Sequence, residues 1–177
     1  MKNNNMLLLP KTILITGFSI WMTIIVINHI FDHATILHTF TEMFNMQKII
    51  EDPNMGNGIE WRAIRWPLWA EISFDAIILY QCVIVGLLWR AAIGYIKIFQ
   101  YNDKQAQLEA LKKSNIAMSG MIFMWFLFMC GGLSYGYWMK MGAIQDNHFN
   151  FLIMTVVGAI FMNFDSHQIK ESAANVE

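Results

Sequence analysis

The amino-acid sequence predicts an all-α fold: a four-helix transmembrane bundle in one domain over 1–177, with an amphipathic segment lying along the interface in its first outer loop. Three observations lead there. Of 177 residues, 56% are apolar, 14% aromatic and only 14% charged, with a mean hydropathy of +0.39, whereas soluble domains carry roughly 25% charged residues. Four runs, 12–31, 68–89, 116–139 and a shorter 149–164, are apolar over helical lengths, and a bilayer core about 30 Å thick takes about 20 helical residues. Between them no stretch is long enough to build a core of its own, and no repeat is visible.

The first run follows Lys2 and Lys11, as the apolar part of a signal peptide would. It continues to Phe31 without a small-x-small cleavage site, so it reads as a retained anchor. The connection after it is the most distinctive. In "HTFTEMFNMQKII", Phe40, Met43, Phe44 and Gln47 share one helical face, with Glu42 and Lys48 elsewhere, which suits a short helix on the membrane surface. "EDPNMGNGIEW" then supplies the Pro, Gly and Asn of a turning backbone. "WRAIRWPLW" sets Trp61, Trp66 and Trp69 around Arg62 and Arg65 as a headgroup-level belt, and Pro67 suits the first turn of the second helix. That helix is expected to continue past Arg90 to a short polar turn, because "KIFQYNDKQAQLEALKK" is rich in helix formers. In the third run, Gly132 and Gly136 form a small-xxx-small pair suited to close helix packing. Cys82 and Cys130 lie in apolar runs and imply no disulfide framework.

Basic residues near span ends stay on the cytoplasmic side. With the amino terminus inside, Lys2, Lys11, Arg90, Lys97, Lys104, Lys112, Lys113 and Lys170 are cytoplasmic and only Lys48, Arg62, Arg65 and Lys140 are outside. Both termini are therefore expected in the cytoplasm. The net charge of −1, with no dense basic stripe, excludes nucleic acid as a partner.

The chemistry-bearing residues gather at the outer end. "HIFDHATILH" holds His29, Asp32 and His33; Glu71 and Asp75 start the second span; Asp146 and His148 precede the fourth. Imidazoles four residues apart, with carboxylates from a facing helix, suit a Zn, Cu or Fe site built on His29, His33 and His148. His29 or His33 with His148 suits axial haem ligation. The plainer alternative is a salt-bridged helix end in which Arg62 and Arg65 neutralise Glu71 and Asp75. Asp75 is the deepest member. Met118, Met121 and Met124 recur at helical spacing, as packing or as soft copper ligands. Gln81 and Asn163 need hydrogen-bond partners in lipid. With no nucleophile-base-orienter set, phosphate loop or metalloprotease motif, enzymatic activity is not the default.

Taken in order, "INHIFDHATILHTFTEMFNM", "WRAI" and the glycine pair followed by "YWMK" resemble the bacterial small integral membrane proteins grouped as domain of unknown function 2165, over about residues 10–165. Asn28, Asp32, Met46, Trp61, Arg62, Ala63 and Ile64 match that pattern. His33, Glu42, Gln81 and Leu133 depart from it, which argues against carrying over a metal site that needs His33. The resemblance implies a four-helix inner-membrane protein, with Asn28, Asp32, Trp61 and Arg62 as shared structural or binding residues and an Asp32–Arg62 pair tying loop to bundle. The leading expectation is a non-catalytic accessory subunit or assembly factor of a larger inner-membrane complex, in contact with lipid and other membrane subunits. A metal or haem protein, an immunity protein against a membrane-active toxin, and a transporter are the alternatives.

Overall fold

The computed structural model describes residues 7–56, 58–101 and 104–174; Lys2 and the polar turn at 102–103 fall outside them. The described residues form α-helices with one 3₁₀ turn and no strand. The long helices are α1 (Leu8–Phe31), α4 (Pro67–Tyr101), α5 (Lys104–Ser134) and α7 (Gly142–Asn163). Between α1 and α4 lie α2 (His33–Phe44), α3 (Gln47–Ile50) and the 3₁₀ turn Glu60–Arg62; α6 (Tyr137–Lys140) joins α5 to α7, and α8 (Ser166–Ala174) ends the described chain.

The four long helices pack up-down-up-down. Trp89 of α4 meets Thr23 of α1, Tyr80 of α4 meets Gly120 of α5, and α7 runs back along α5 from Gln145 beside Gly132 to Asn163 beside Asn115. Both described chain ends thus lie at one end of the bundle, the terminal end. The α2–α3 connection and α6 lie at the other, the loop end.

Helical periodicity explains the seam. On α1, Leu8, Lys11, Thr12, Ile15, Phe18, Ser19, Met22 and Val26 are buried, three and four residues apart. Ile13, Ile20, Ile24 and Ile27 on the other side are exposed. Ile84, Leu88, Ala91 and Tyr95 of α4 meet Ala117, Met118, Met121, Met124 and Trp125 of α5 in the core, so the methionine stripe is packing material. A Cβ on Gly94 would lie 3.2 Å from Ala110 Cβ, which lets α4 and α5 approach closely.

Apolar surface all round a helix is the mark of a membrane span. Three helical segments are long and apolar enough to cross a membrane: Leu8–Phe31, Pro67–Phe99 and Gln105–Ser134. α7 is not among them, because Gln145, Asp146, Asn147, His148 and Asn150 occupy its first turns.

Several boundaries differ from the sequence reading. The third helix stops at Ser134 rather than 139, since Gly136 takes a left-handed φ of 64° and the chain re-enters helix at Tyr137. Gly136 is consequently a turn residue facing Ile49 and Ile59, not half of a packing pair. Gly132 alone sits at a helix contact, where a Cβ would collide with the Gln145 side chain. The surface helix is also broken: Met46 has a φ of 51°, which puts Gln47 in α3 and off the Phe40–Phe44 face.

Candidate functional site

The polar residues at the loop end divide into an exposed cluster, a pair of imidazoles beside an apolar cavity, and a set of loop ties. Each position follows from the helix that carries it.

α1 brings His29 round to the face of Met22 and Val26, against α4. There its Nδ1 lies 2.7 Å from Oε1 of Gln81, a side chain that is 1% exposed. Asp32 then turns the backbone with φ −109° and ψ 36°, and α2 starts at His33. Phe74, fully buried on α4, anchors this corner: its ring centroid is 5.6 Å from His29, 5.0 Å from His33 and 5.0 Å from Phe40. Aromatic contacts of this kind add about 0.5–1.5 kcal/mol each beyond their buried area, so Phe74 holds α2 to α4. His33 Nε2 is left on the outside, 2.9 Å from Asp75 Oδ1, with the two side chains 37% and 60% exposed.

His148 enters from the second turn of α7. Its ring lies 4.9 Å from Phe128 and stacks on Trp125 at 6.0 Å. Trp125 donates through Nε1 to Thr155 Oγ1 at 3.1 Å, which fixes the stack. The Nδ1 of His148 is buried without a hydrogen-bond partner, as is the Nε2 of Gln81. His29 and His148 both line a cavity of about 670 Å³ walled chiefly by α2, α4 and α5, with single residues from α1 and α6 and the start of α7.

The seven ionisable groups expected to converge therefore do not. Asp32, Glu71 and Asp146 are exposed, and no group of three His, Cys, Asp or Glu assembles around a metal position among the described residues. His33 is engaged by Asp75 on the outside while His29 and His148 face the cavity, so the three histidines proposed as metal ligands do not share one position. Asn28 is exposed near the end of α1.

The expected Asp32–Arg62 pair is not formed among the described residues, nor do Arg62 or Arg65 reach Glu71 or Asp75. Arg62 turns to α5: Nη1 donates to the Ser134 carbonyl at 3.4 Å, and the guanidinium lies 5.5 Å from the Trp61 ring centroid. The last carbonyls of a helix have no intrahelical partner and carry its negative dipole end, which attracts a cation. Asp32, by contrast, sits at the α1–α2 corner.

The connection is held instead by pairs whose partnership the sequence did not disclose. Ile64 N–H donates to the Phe44 carbonyl at 2.8 Å, Lys48 pairs with Glu42 at 2.8 Å, and Lys140 pairs with Asp52 at 2.5 Å. The hydrogen bond from the Lys140 ammonium holds the Asp52 carboxyl below the usual aspartate range. Of the two residues read as needing partners, Gln81 finds one for its Oε1 in His29, and Asn163 exchanges amide hydrogen bonds of 2.9 and 2.6 Å with Asn115. At the terminal end Lys11 is buried and paired with Asp165, 154 residues away. Spacing within one helix could not disclose that pair.

The chain belongs to the family described as predicted small integral membrane protein (DUF2165), whose model matches residues 7–165. No match was found among curated proteins or among solved structures.

Proposed function

We propose, from membership of a family of integral membrane proteins, that this chain crosses a bacterial cytoplasmic membrane four times with both termini inside, and serves as a non-catalytic accessory subunit or assembly factor of a larger complex. Support for α7 as the fourth span comes from its packing along α5 and from its 22 residues, about 33 Å of helix. The eight-to-four distribution of Lys and Arg supports the orientation. Trp61, Trp66 and Trp69 are 77%, 56% and 40% exposed, as an interfacial belt beside α2 requires.

One observation carries the subunit role. Asp75 lies eight residues beyond Pro67 in α4, about 12 Å down the helix, and below the tryptophans. Its carboxylate faces away from the bundle with His33 as its contact. An ionisable side chain at that depth is costly against lipid and is stabilised by a polar group supplied from a neighbouring helix. Glu71, one turn nearer the surface, and Asn28 on α1 are also exposed. Asp75 and Glu71, four residues apart, thus give α4 a polar edge suited to a partner helix that offers donors.

A photo-crosslinking residue at Leu79 tests this, since Leu79 is 69% exposed and one turn from Asp75 on the same face. The expected product is a discrete adduct to an unlike membrane protein, lost in Asp75→Leu. Adducts to lipid alone, or to a second copy of this chain, would refute the subunit role.

A further inference from the structure

The loop-end cavity calls for a ligand of its own. It encloses about 670 Å³, within the roughly 300–1,000 Å³ of small-molecule sites, which pair apolar and aromatic walls with a few placed polar groups. Phe40, Phe128, Tyr80 and Met124 stand on its wall, and the only polar side chains among the lining residues besides the imidazoles of His29 and His148 are hydroxyls. Among the described residues no Lys, Arg, Asp or Glu lines it.

The imidazoles are held differently. Gln81 is buried, and with its Oε1 accepting from Nδ1–H, His29 carries its proton on Nδ1 and keeps Nε2 as a lone-pair acceptor. His148 is clamped between Trp125 and Phe128 and has a buried Nδ1 with no partner. His148 lines the cavity as well, so its imidazole can meet an occupant there. The occupant is thus apolar over most of its surface, flat enough for aromatic walls, and equipped with uncharged oxygens. A phospholipid headgroup does not fit, because its phosphate would meet no cation on this wall.

We propose that the cavity binds a lipid-soluble ring compound of the quinone or quinol class, with its ring between the aromatic walls and its oxygens at His29 and His148. A quinol hydroxyl donates to the His29 Nε2 lone pair; a carbonyl oxygen accepts from an imidazole N–H of His148. The site holds the ring without requiring electron transfer. It does not depend on the subunit proposal, because every wall residue belongs to this chain.

The test uses the full-length protein in nanodiscs of phosphatidylcholine, titrated with a decyl-substituted benzoquinone and its quinol. Saturable binding of one ring per chain is expected, weakened about tenfold by His29→Phe and by His148→Phe, as loss of one hydrogen bond to a buried group predicts. Gly131→Leu supplies a variant that leaves both histidines untouched: Gly131 lines the cavity and a Cβ there has nothing within 4 Å. It should remain folded and lose binding. Absence of saturable binding to the unaltered protein would overturn the proposal, as would binding undiminished by Gly131→Leu. A haem absorption band in the purified protein, lost in His148→Phe, would assign the cavity to haem instead.

Discussion

Lys11 and Asp165 offer the sharpest test of how the bundle is closed. Lys11 is 1% exposed on α1 and Asp165 is 13% exposed just past α7, so the ion pair joins the first and last long helices where they make few other contacts. Lys11→Met leaves a carboxylate largely out of water without its cation; Asp165→Asn leaves the ammonium in the same position. Breaking a buried pair from one side costs about 3–5 kcal/mol. Asp165 retains some exposure, which favours the lower figure, about 3 kcal/mol. For a chain of this length that corresponds to a melting temperature lowered by about 6–12 °C. Replacing both partners with apolar residues removes the buried charge altogether, so Lys11→Met with Asp165→Leu should recover most of the loss. Thermal unfolding in detergent, followed by far-ultraviolet circular dichroism, reads all three. Single variants that melt with the native protein, or a double variant that melts as low as the sum of the singles, would show that the pair does not close the bundle.

Three further outcomes follow from particular contacts. At Gly158 a Cβ would lie 2.9 Å from Met118 Cε and from Phe18 Cε2, so Gly158→Leu should cost about 1–3 kcal/mol by overpacking, measured by chemical unfolding. Gly136→Val places a β-branched residue at a φ of 64°; its cost of about 1–2 kcal/mol should appear as faster hydrogen exchange through 134–142 while α1 and α4 stay protected. The Asp52–Lys140 tie is pH-dependent. Because the folded carboxyl titrates below its ordinary range, the tie is fully present above that range and is lost as pH falls through the depressed value. Exchange around 51–56, corrected for intrinsic rates, should rise only under acid, and Asp52→Asn should show the acid-like rate already at neutral pH. A flat profile in the native protein would remove the tie.

What the sequence disclosed, and what it did not, follows the range of the interactions. The long helices were legible because a twenty-residue apolar run needs no knowledge of its neighbours, and Pro67 marked a helix start through its own geometry. The end of α5 was not, because "CGGLSYGYWMK" reads as continuous apolar helix until Gly136 is seen in the left-handed region. Met46 hid a second break: a non-glycine residue at positive φ carries no local signature, and burial at 1% exposure holds it there.

At the candidate site, sequence position gave the depth of each ionisable residue but not its direction. His29 and His33, four residues apart, were placed on one face of one helix. The chain turns at Asp32 between them, so that one ring faces Gln81 and the other Asp75. Arg62 was paired with Asp32 from the pattern shared with the family, whereas its guanidinium turns to the unpaired carbonyl end of α5. The cavity was invisible in the sequence, since its walls come from six helices and its two imidazoles from the first and last long ones.

The most direct measurement on the proposed role is native mass spectrometry of the protein, tagged at its carboxyl terminus and extracted gently from its own membrane. Association with an unlike membrane chain is the predicted result: a mass well above 20.5 kDa that contains a second polypeptide and falls to the bare chain in Asp75→Leu. A bare chain or a homo-oligomer from the unaltered protein, under extraction that preserves known complexes of the same membrane, would contradict the account.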